Sequence, residues 1–177
     1  MKVFKNILLL LGALLMAILF TRFVAMRSVV DGSSMEPTLY HGDQLFIDRI
    51  SYRFHDPARY DIIVFPGIAP EEGGKAPYYI KRIIGLPGEE ICIREGRVWI
   101  NGTPLQEINE ESFETMQDAG MAGDPYVIPD RTYFVLGDNR NHSRDSRDPL
   151  LGPVRREDLL GKVLVRIWPP KRIGWFK

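Results

Sequence analysis

From Ser28 onward the chain is divided into short apolar runs separated by turn residues, and that spacing constrains the fold more than any other feature. The runs are QLFID (44–48), DIIVF (61–65), YYIKRIIG (78–85), EEICIR (89–94), RVWI (97–100), TYFVLG (132–137) and KVLVRIW (162–168). Each is rich in β-branched or aromatic residues and too short for a core helix. Gly42-Asp43, Pro66-Gly67, Gly85 to Gly88, Glu95-Gly96, Asn101-Gly102 and Pro129-Asp130 punctuate them. Glu95-Gly96, between Ile93 and Val98, is expected to close a hairpin. The pattern predicts a mainly β protein with an antiparallel, partly closed β-domain. Helix is scarce: RREDLLG (155–161) predicts one short helix stopped by Gly161. The polar, acidic stretch 106–124 reads as a mobile insertion.

The N-terminus is different. Lys2 and Lys5 precede an uncharged apolar run from Ile7 to Phe20, and apolar character resumes at Phe23 after Thr21-Arg22. The uninterrupted run is shorter than the ~20 residues a span needs, but its flanks complete it if Arg22 snorkels to the interface. TRFVAMRSV has no clean small-x-small site where the run ends, so an uncleaved anchor over residues 1–27 is expected, not a removed leader. Residues 28–177 would then form the folded domain. Positive charges nearly balance across the run and leave its orientation open.

Lysine plus arginine equals aspartate plus glutamate, 23 each in 177 residues, so the basic face of a nucleic-acid-binding protein is not expected. The single cysteine, Cys92, excludes an intrachain disulfide and a cysteine zinc site, and it reads as a small core residue. No metal motif is evident: the Asp-rich loop after Leu136 lacks the closing Glu of an EF-hand. None of His41, His55 and His142 sits in a context that marks a Ser-His-Asp triad.

Two stretches raise a chemical question. In YYIKRIIG, Lys81 and Arg82 interrupt a run that otherwise reads as a buried strand, and strand alternation sends them to opposite faces. Lys81 is either a charge guarding a sheet edge or an amine held in apolar surroundings, neutral enough to act as a base. A base needs a nucleophile. DGSSMEPTL (31–39) puts Ser33 and Ser34 after a glycine and before Pro37, a turn able to offer both a hydroxyl and a backbone N–H to a carbonyl. GDNRNHSRDSR (137–147) is a second dense polar cluster behind an apolar strand.

These blocks, DGSSMEPTL, YDIIVF, YIKRIIGLPGE and GDNRNHSRDSR…GPV, follow an N-terminal apolar run in this order, and together they resemble type I signal peptidases, Ser-Lys endopeptidases that remove signal peptides from exported proteins. The resemblance implies Ser34 as nucleophile and Lys81 as general base, with Ser143 orienting the lysine. It implies that Asp145 ties the loop down with Arg147 and Arg82. Val30, Met35, Leu39, Tyr79 and Ile80 match positions lining pockets for small side chains. Where some members have a serine hydroxyl completing the oxyanion hole, this chain has Gly32, which leaves Ser33 or a backbone N–H as candidate second donor. The resemblance further implies no cofactor, signal peptides of preproteins as substrates, membrane lipid and the secretion translocon as partners, and a single-pass protein of the cytoplasmic membrane with its N-terminus in the cytoplasm and its catalytic domain outside. A peptidase dedicated to one pilus or conjugation protein, a Ser-Lys self-cleaving repressor and an inactive signal-peptide-binding β-domain are the competing expectations. The anchor and the absent basic domain oppose the repressor; intact Ser34 and Lys81 oppose the inactive domain.

Overall fold

The computed structural model describes residues 4–7, 9–12, 16, 25–68, 74, 76–106 and 113–176. Residues 4–7, 9–12 and Met16 are helical and exposed; the remainder of the apolar N-terminal run lies outside the described residues. Among the described residues no helix is long and apolar enough to cross a membrane.

The twelve described strands are β1 (Ala25–Val29), β2 (Gln44–Asp48), β3 (Ile62–Pro66), β4 (Tyr78–Gly85), β5 (Glu90–Arg94), β6 (Arg97–Ile100), β7 (Thr103–Pro104), β8 (Tyr126–Val127), β9 (Thr132–Leu136), β10 (Val154–Arg155), β11 (Gly161–Trp168) and β12 (Gly174–Trp175). The larger sheet runs β1-β2-β11-β3-β4-β9-β10, with β12 added to β11; the smaller runs β7-β6-β5-β8. All pairings are antiparallel, as expected. The larger sheet is an open path ending at β1 and β10, so the described strands form no closed barrel.

Every expected strand is present within a residue or so of its expected ends. The β5–β6 hairpin closes at Glu95-Gly96, whose φ angles of 52° and 72° belong to the turn type that matches strand twist. β1 was not foreseen. It begins at Ala25, inside the apolar tail of the expected anchor, because its partner β2 supplies the ladder that hydropathy cannot report. The expected 155–161 helix is only a 3-10 turn at Arg156–Asp158, because β11 already claims Gly161.

Three apolar clusters hold the fold. Val30, Met35, Leu39, Leu45, Ile47, Ile62, Val64 and Val163 pack together under the serine turn. Alternate residues of β3, Ile63 and Phe65, join Ile83, Tyr133, Val135 and Val154 in a second cluster, so β3 is buried on both faces. The third joins the smaller sheet to the far ends of β4 and β9, through Ile84, Ile91, Ile93, Val98, Phe134 and Leu136. Met116 and Ala122 belong to it, so the described part of 106–124, from Phe113, is packed down instead of free. Cys92 is buried, as expected.

Candidate active site

The serine turn leaves β1 through Val30, which is buried, and Gly32, whose φ is +97°. Met35 and Leu39, both buried, root the turn in the core and leave Ser34 half-buried at its crest, with Ser33 exposed beside it. β4 approaches from the side. Period-2 alternation puts Lys81 on the face of Tyr79 and Ile83, and Arg82 on the other.

The two cations then do different things. Lys81 Nζ lies 2.7 Å from Ser34 Oγ and 3.0 Å from the Ile80 carbonyl oxygen, with the Tyr79 ring centroid at 5.4 Å. The side chain is 4 % exposed. Burial holds its pKa down, from 10.5 to about 8; the charges of Asp145 and Asp138 oppose that fall but do not cancel it. A lysine guarding a sheet edge would be solvated and fully charged. This one contacts a hydroxyl, and burial brings its loss of a proton down towards the neutral range.

Arg82 is structural. Its Nε and Nη2 grip Asp138 at 2.8 and 2.7 Å, and Nη1 donates to the Tyr60 carbonyl oxygen at 3.1 Å. The expected Arg82–Asp145 tie is therefore corrected: Asp138, one residue beyond Gly137 at the end of β9, takes Arg82. Asp145 pairs with Arg147 in the same two-pronged way, at 2.8 and 2.9 Å, and accepts the Gly137 N–H at 3.0 Å. Arg147 also holds the Asp118 and Arg140 carbonyls, which fastens the packed part of 106–124 to this loop.

Ser143 is near but differently engaged than expected. Its hydroxyl is buried and has no hydrogen-bond partner among the described residues, Lys81 included. A Cβ on Gly137 would overlap Ser143 Oγ and come within 2.5 Å of the Ser34 carbonyl oxygen. Gly137 is thus where three pieces of the site meet without room for a side chain. Asn139 reaches the turn from the same loop: its backbone N–H donates to the Ser34 carbonyl oxygen at 3.1 Å and its Nδ2 to the Ser33 carbonyl oxygen at 3.2 Å. Gly137, Asp138 and Asn139 stood in the polar cluster without assigned roles; their position at the end of an apolar strand that pairs with the lysine's strand was the available signal.

A groove of about 390 Å³ runs over Ser34 and Lys81, lined also by Ser28 to Ser33, Met35, Tyr78 to Ile80, His142 and Arg144. Of the expected pocket residues, Val30, Met35, Tyr79 and Ile80 line it; Leu39 lies beneath, in the core. A separate polar cavity of about 490 Å³, bordered by Asp118, Arg140 and Arg147, shares Arg144 with the groove but includes neither Ser34 nor Lys81. Among the described residues no cluster of His, Cys, Asp or Glu has the arrangement of a metal site.

The family described as signal peptidase, peptidase S26, matches residues 3–168. The chain belongs to the signal peptidase family. The chain is 45% identical over 163 residues to a probable signal peptidase I-2 of a Synechocystis species, covering 92% of this chain and 72% of the relative. It is 41% identical over 155 residues to a signal peptidase I of Leptolyngbya laminosa, covering 86% and 73%. A crystal structure of a signal peptidase I from Enterococcus faecalis matches 61% of this chain and 97% of its own, at 33% identity and a TM-score of 0.44.

Proposed function

We propose that the chain is a serine endopeptidase that removes signal peptides from exported preproteins, with Ser34 as nucleophile and Lys81 as general base. The observation that carries the site assignment is the 2.7 Å contact between Ser34 Oγ and a buried Lys81 Nζ whose pKa has fallen to about 8. A neutral Lys81 takes the Ser34 proton as Oγ bonds to the carbonyl carbon of the signal peptide's last residue. The C=O π pair moves onto oxygen. When the intermediate collapses, the C–N bond breaks, and the Lys81 ammonium gives its proton to the leaving amine. Neutral again, Lys81 takes a proton from water as its oxygen bonds to the acyl carbon; the C–Oγ ester bond then breaks, the Lys81 ammonium returns its proton to Ser34 Oγ, and the signal peptide leaves with a new carboxyl end.

Two unpaired strand edges suit an extended substrate. β1 is the end of its sheet, and β4 pairs with β9 only from Arg82 onward, which leaves Tyr78 to Ile80 open on that side among the described strands. Both edges line the groove, so a peptide can add between them as a strand. Apolar side chains of Val30, Met35, Tyr79 and Ile80 border that strand, which favours small apolar residues before the cut. In this reading the apolar residues before β1, 1–24, anchor the enzyme in the cytoplasmic membrane, the expected boundary at 27 being moved back because residues 25–27 pair with β2; the N-terminus lies inside and the β-domain on the extracytoplasmic face, within reach of lipid and the translocon. Incubating the detergent-solubilised full chain with several unrelated preproteins tests the function. Cleavage of all of them, lost in Ser34→Ala, is expected; cleavage of a single one would mark a dedicated maturation peptidase instead.

A further inference from the structure

We infer that Asn139 is a positioning residue for the oxyanion hole: it fixes the direction of the Ser34 N–H. The inference rests on Ser34 being the nucleophile. In a trans peptide the carbonyl and the N–H point in opposite directions, so whatever fixes the Ser33 C=O also fixes the Ser34 N–H. The Ser33 carbonyl oxygen is held twice, by the Glu36 N–H at 3.0 Å and by Asn139 Nδ2 at 3.2 Å. A carbonyl only accepts, so it is the amide nitrogen of Asn139 that must face it. The next carbonyl, of Ser34, is held by the Asn139 backbone N–H at 3.1 Å.

Both carbonyls flanking the nucleophile's N–H are thus drawn to the GDN loop. The Ser34 N–H is turned the opposite way, and among the described residues none accepts a hydrogen bond from it. A donor left free at the nucleophile, with its direction fixed in advance, suits a developing oxyanion, because stabilisation there depends on dipoles that need not reorganise. Position 32 is glycine, so no hydroxyl two residues before Ser34 can share that work. Asn139 is well placed to couple this to the base. It follows Asp138, which grips Arg82, the neighbour of Lys81.

The test uses the full-length enzyme in detergent and a preprotein substrate. Asn139→Ala removes only the Nδ2 bond, since the backbone N–H stays. Deleting an oxyanion donor outright costs about 10²–10³ in kcat; a donor that remains but loses its bracing should cost about 10- to 100-fold, with KM little changed. Asn139→Asp keeps the shape but sets oxygen against oxygen, and kcat on its high-pH plateau should fall further than in Asn139→Ala. It also serves should alanine disturb the fold, which thermal unfolding reports. Two inhibitors separate positioning from bulk distortion: a short peptide of the residues before the cut ending in an aldehyde, and the same peptide ending in an alcohol. Ser34 Oγ adds to the aldehyde carbon and places its oxygen in the hole, whereas the alcohol only occupies the groove. The aldehyde's advantage over the alcohol should shrink in Asn139→Ala by about the factor lost in kcat, with alcohol affinity unchanged. An unchanged kcat and aldehyde advantage, or equal loss for both inhibitors, overturns the inference. Ser34→Ala is the control: if it still cleaves, the nucleophile assignment itself has failed, and the inference with it.

Discussion

Replacing Lys81 by methionine should make the protein more stable near neutral pH while abolishing cleavage. The ammonium is 4 % exposed and its pKa falls from 10.5 to about 8, chiefly because burial strips its hydration. A fall from 10.5 to about 8 corresponds to about 3 kcal/mol of penalty carried by the folded, protonated enzyme. The sign follows from proton counting. Below pH 8 both states hold the proton, so the full penalty is present and stability does not respond to pH through this group. Between about 8 and 10.5 the unfolded chain still holds the proton and the folded one has lost it, so stability rises with pH. Above 10.5 both states are neutral and the penalty is gone. Methionine is close to isosteric and carries no charge, but it forfeits the contacts to Ser34 Oγ and the Ile80 carbonyl oxygen, worth about 1 kcal/mol net. Lys81→Met should therefore exceed wild type by about 1–3 kcal/mol at pH 7 and fall to equality or just below it by pH 10.5. Urea unfolding of both proteins in the same detergent across that range measures the difference and cancels every other titrating group. A difference that stays flat with pH would show that the lysine carries no burial penalty, and the case for a base would fail. The wild-type activity should rise with pH through about 8. Lys81→Arg, which cannot release a proton at these pH values, should be inactive.

Ser34→Ala should abolish preprotein cleavage and leave unfolding unchanged, whereas exposed Ser33→Ala should keep substantial activity; equal loss in both would mean the wrong serine has been assigned. Gly137→Ala should cost activity severely, because the new methyl meets Ser143 Oγ and the Ser34 carbonyl oxygen, and single-turnover cleavage would expose the error if the variant proved normal. Asp43 is fully buried between Arg166 and Arg172, at 3.2 and 2.7 Å, and accepts the Tyr40 N–H at 3.0 Å. Asp43→Ala takes the carboxylate from both arginines and should cost about 3 kcal/mol in urea unfolding, the low end for breaking a buried pair because Arg172 is partly solvated and Arg166 keeps the Thr38 and Arg172 carbonyl oxygens. Trp168, Ile173 and Trp175 are exposed beside Lys171, an arrangement suited to a lipid interface. A chain shortened by residues 1–24, cut just before β1, should sediment with anionic vesicles, and the Trp168→Ala/Trp175→Ala double variant should not.

What could be read from the sequence alone divides along the range of the interactions. The strands were legible because their signals are local: β-branched runs ended by Gly, Pro or Asn-Gly turns report themselves within five to eight residues. The opposite roles of Lys81 and Arg82 were legible for the same reason, since alternation along one strand needs no tertiary knowledge. β1 was not legible, because Ala25-Met26 is as apolar as the run before it and only pairing with β2 gives it a face. The partners of the arginines failed for a related reason. Asp138 and Asp145 lie seven residues apart in one polar loop, and either could satisfy Arg82 on composition. Register decides between them: Arg82 stands opposite Leu136, the last residue of β9, so its guanidinium meets the chain just past that strand, at Asp138. Asp145 lies beyond the turn and folds back to take the Gly137 N–H and Arg147. Lys81, adjacent to Arg82 on the strand, has both carboxylates near enough to oppose the fall in its pKa, yet each is already neutralised by its own arginine. That division of charges lets an amine be buried beside two aspartates without becoming a third ion pair. Exchanging either arginine for a neutral residue should therefore release a carboxylate charge towards Lys81, raise its pKa and move the acidic limb of activity upward in pH.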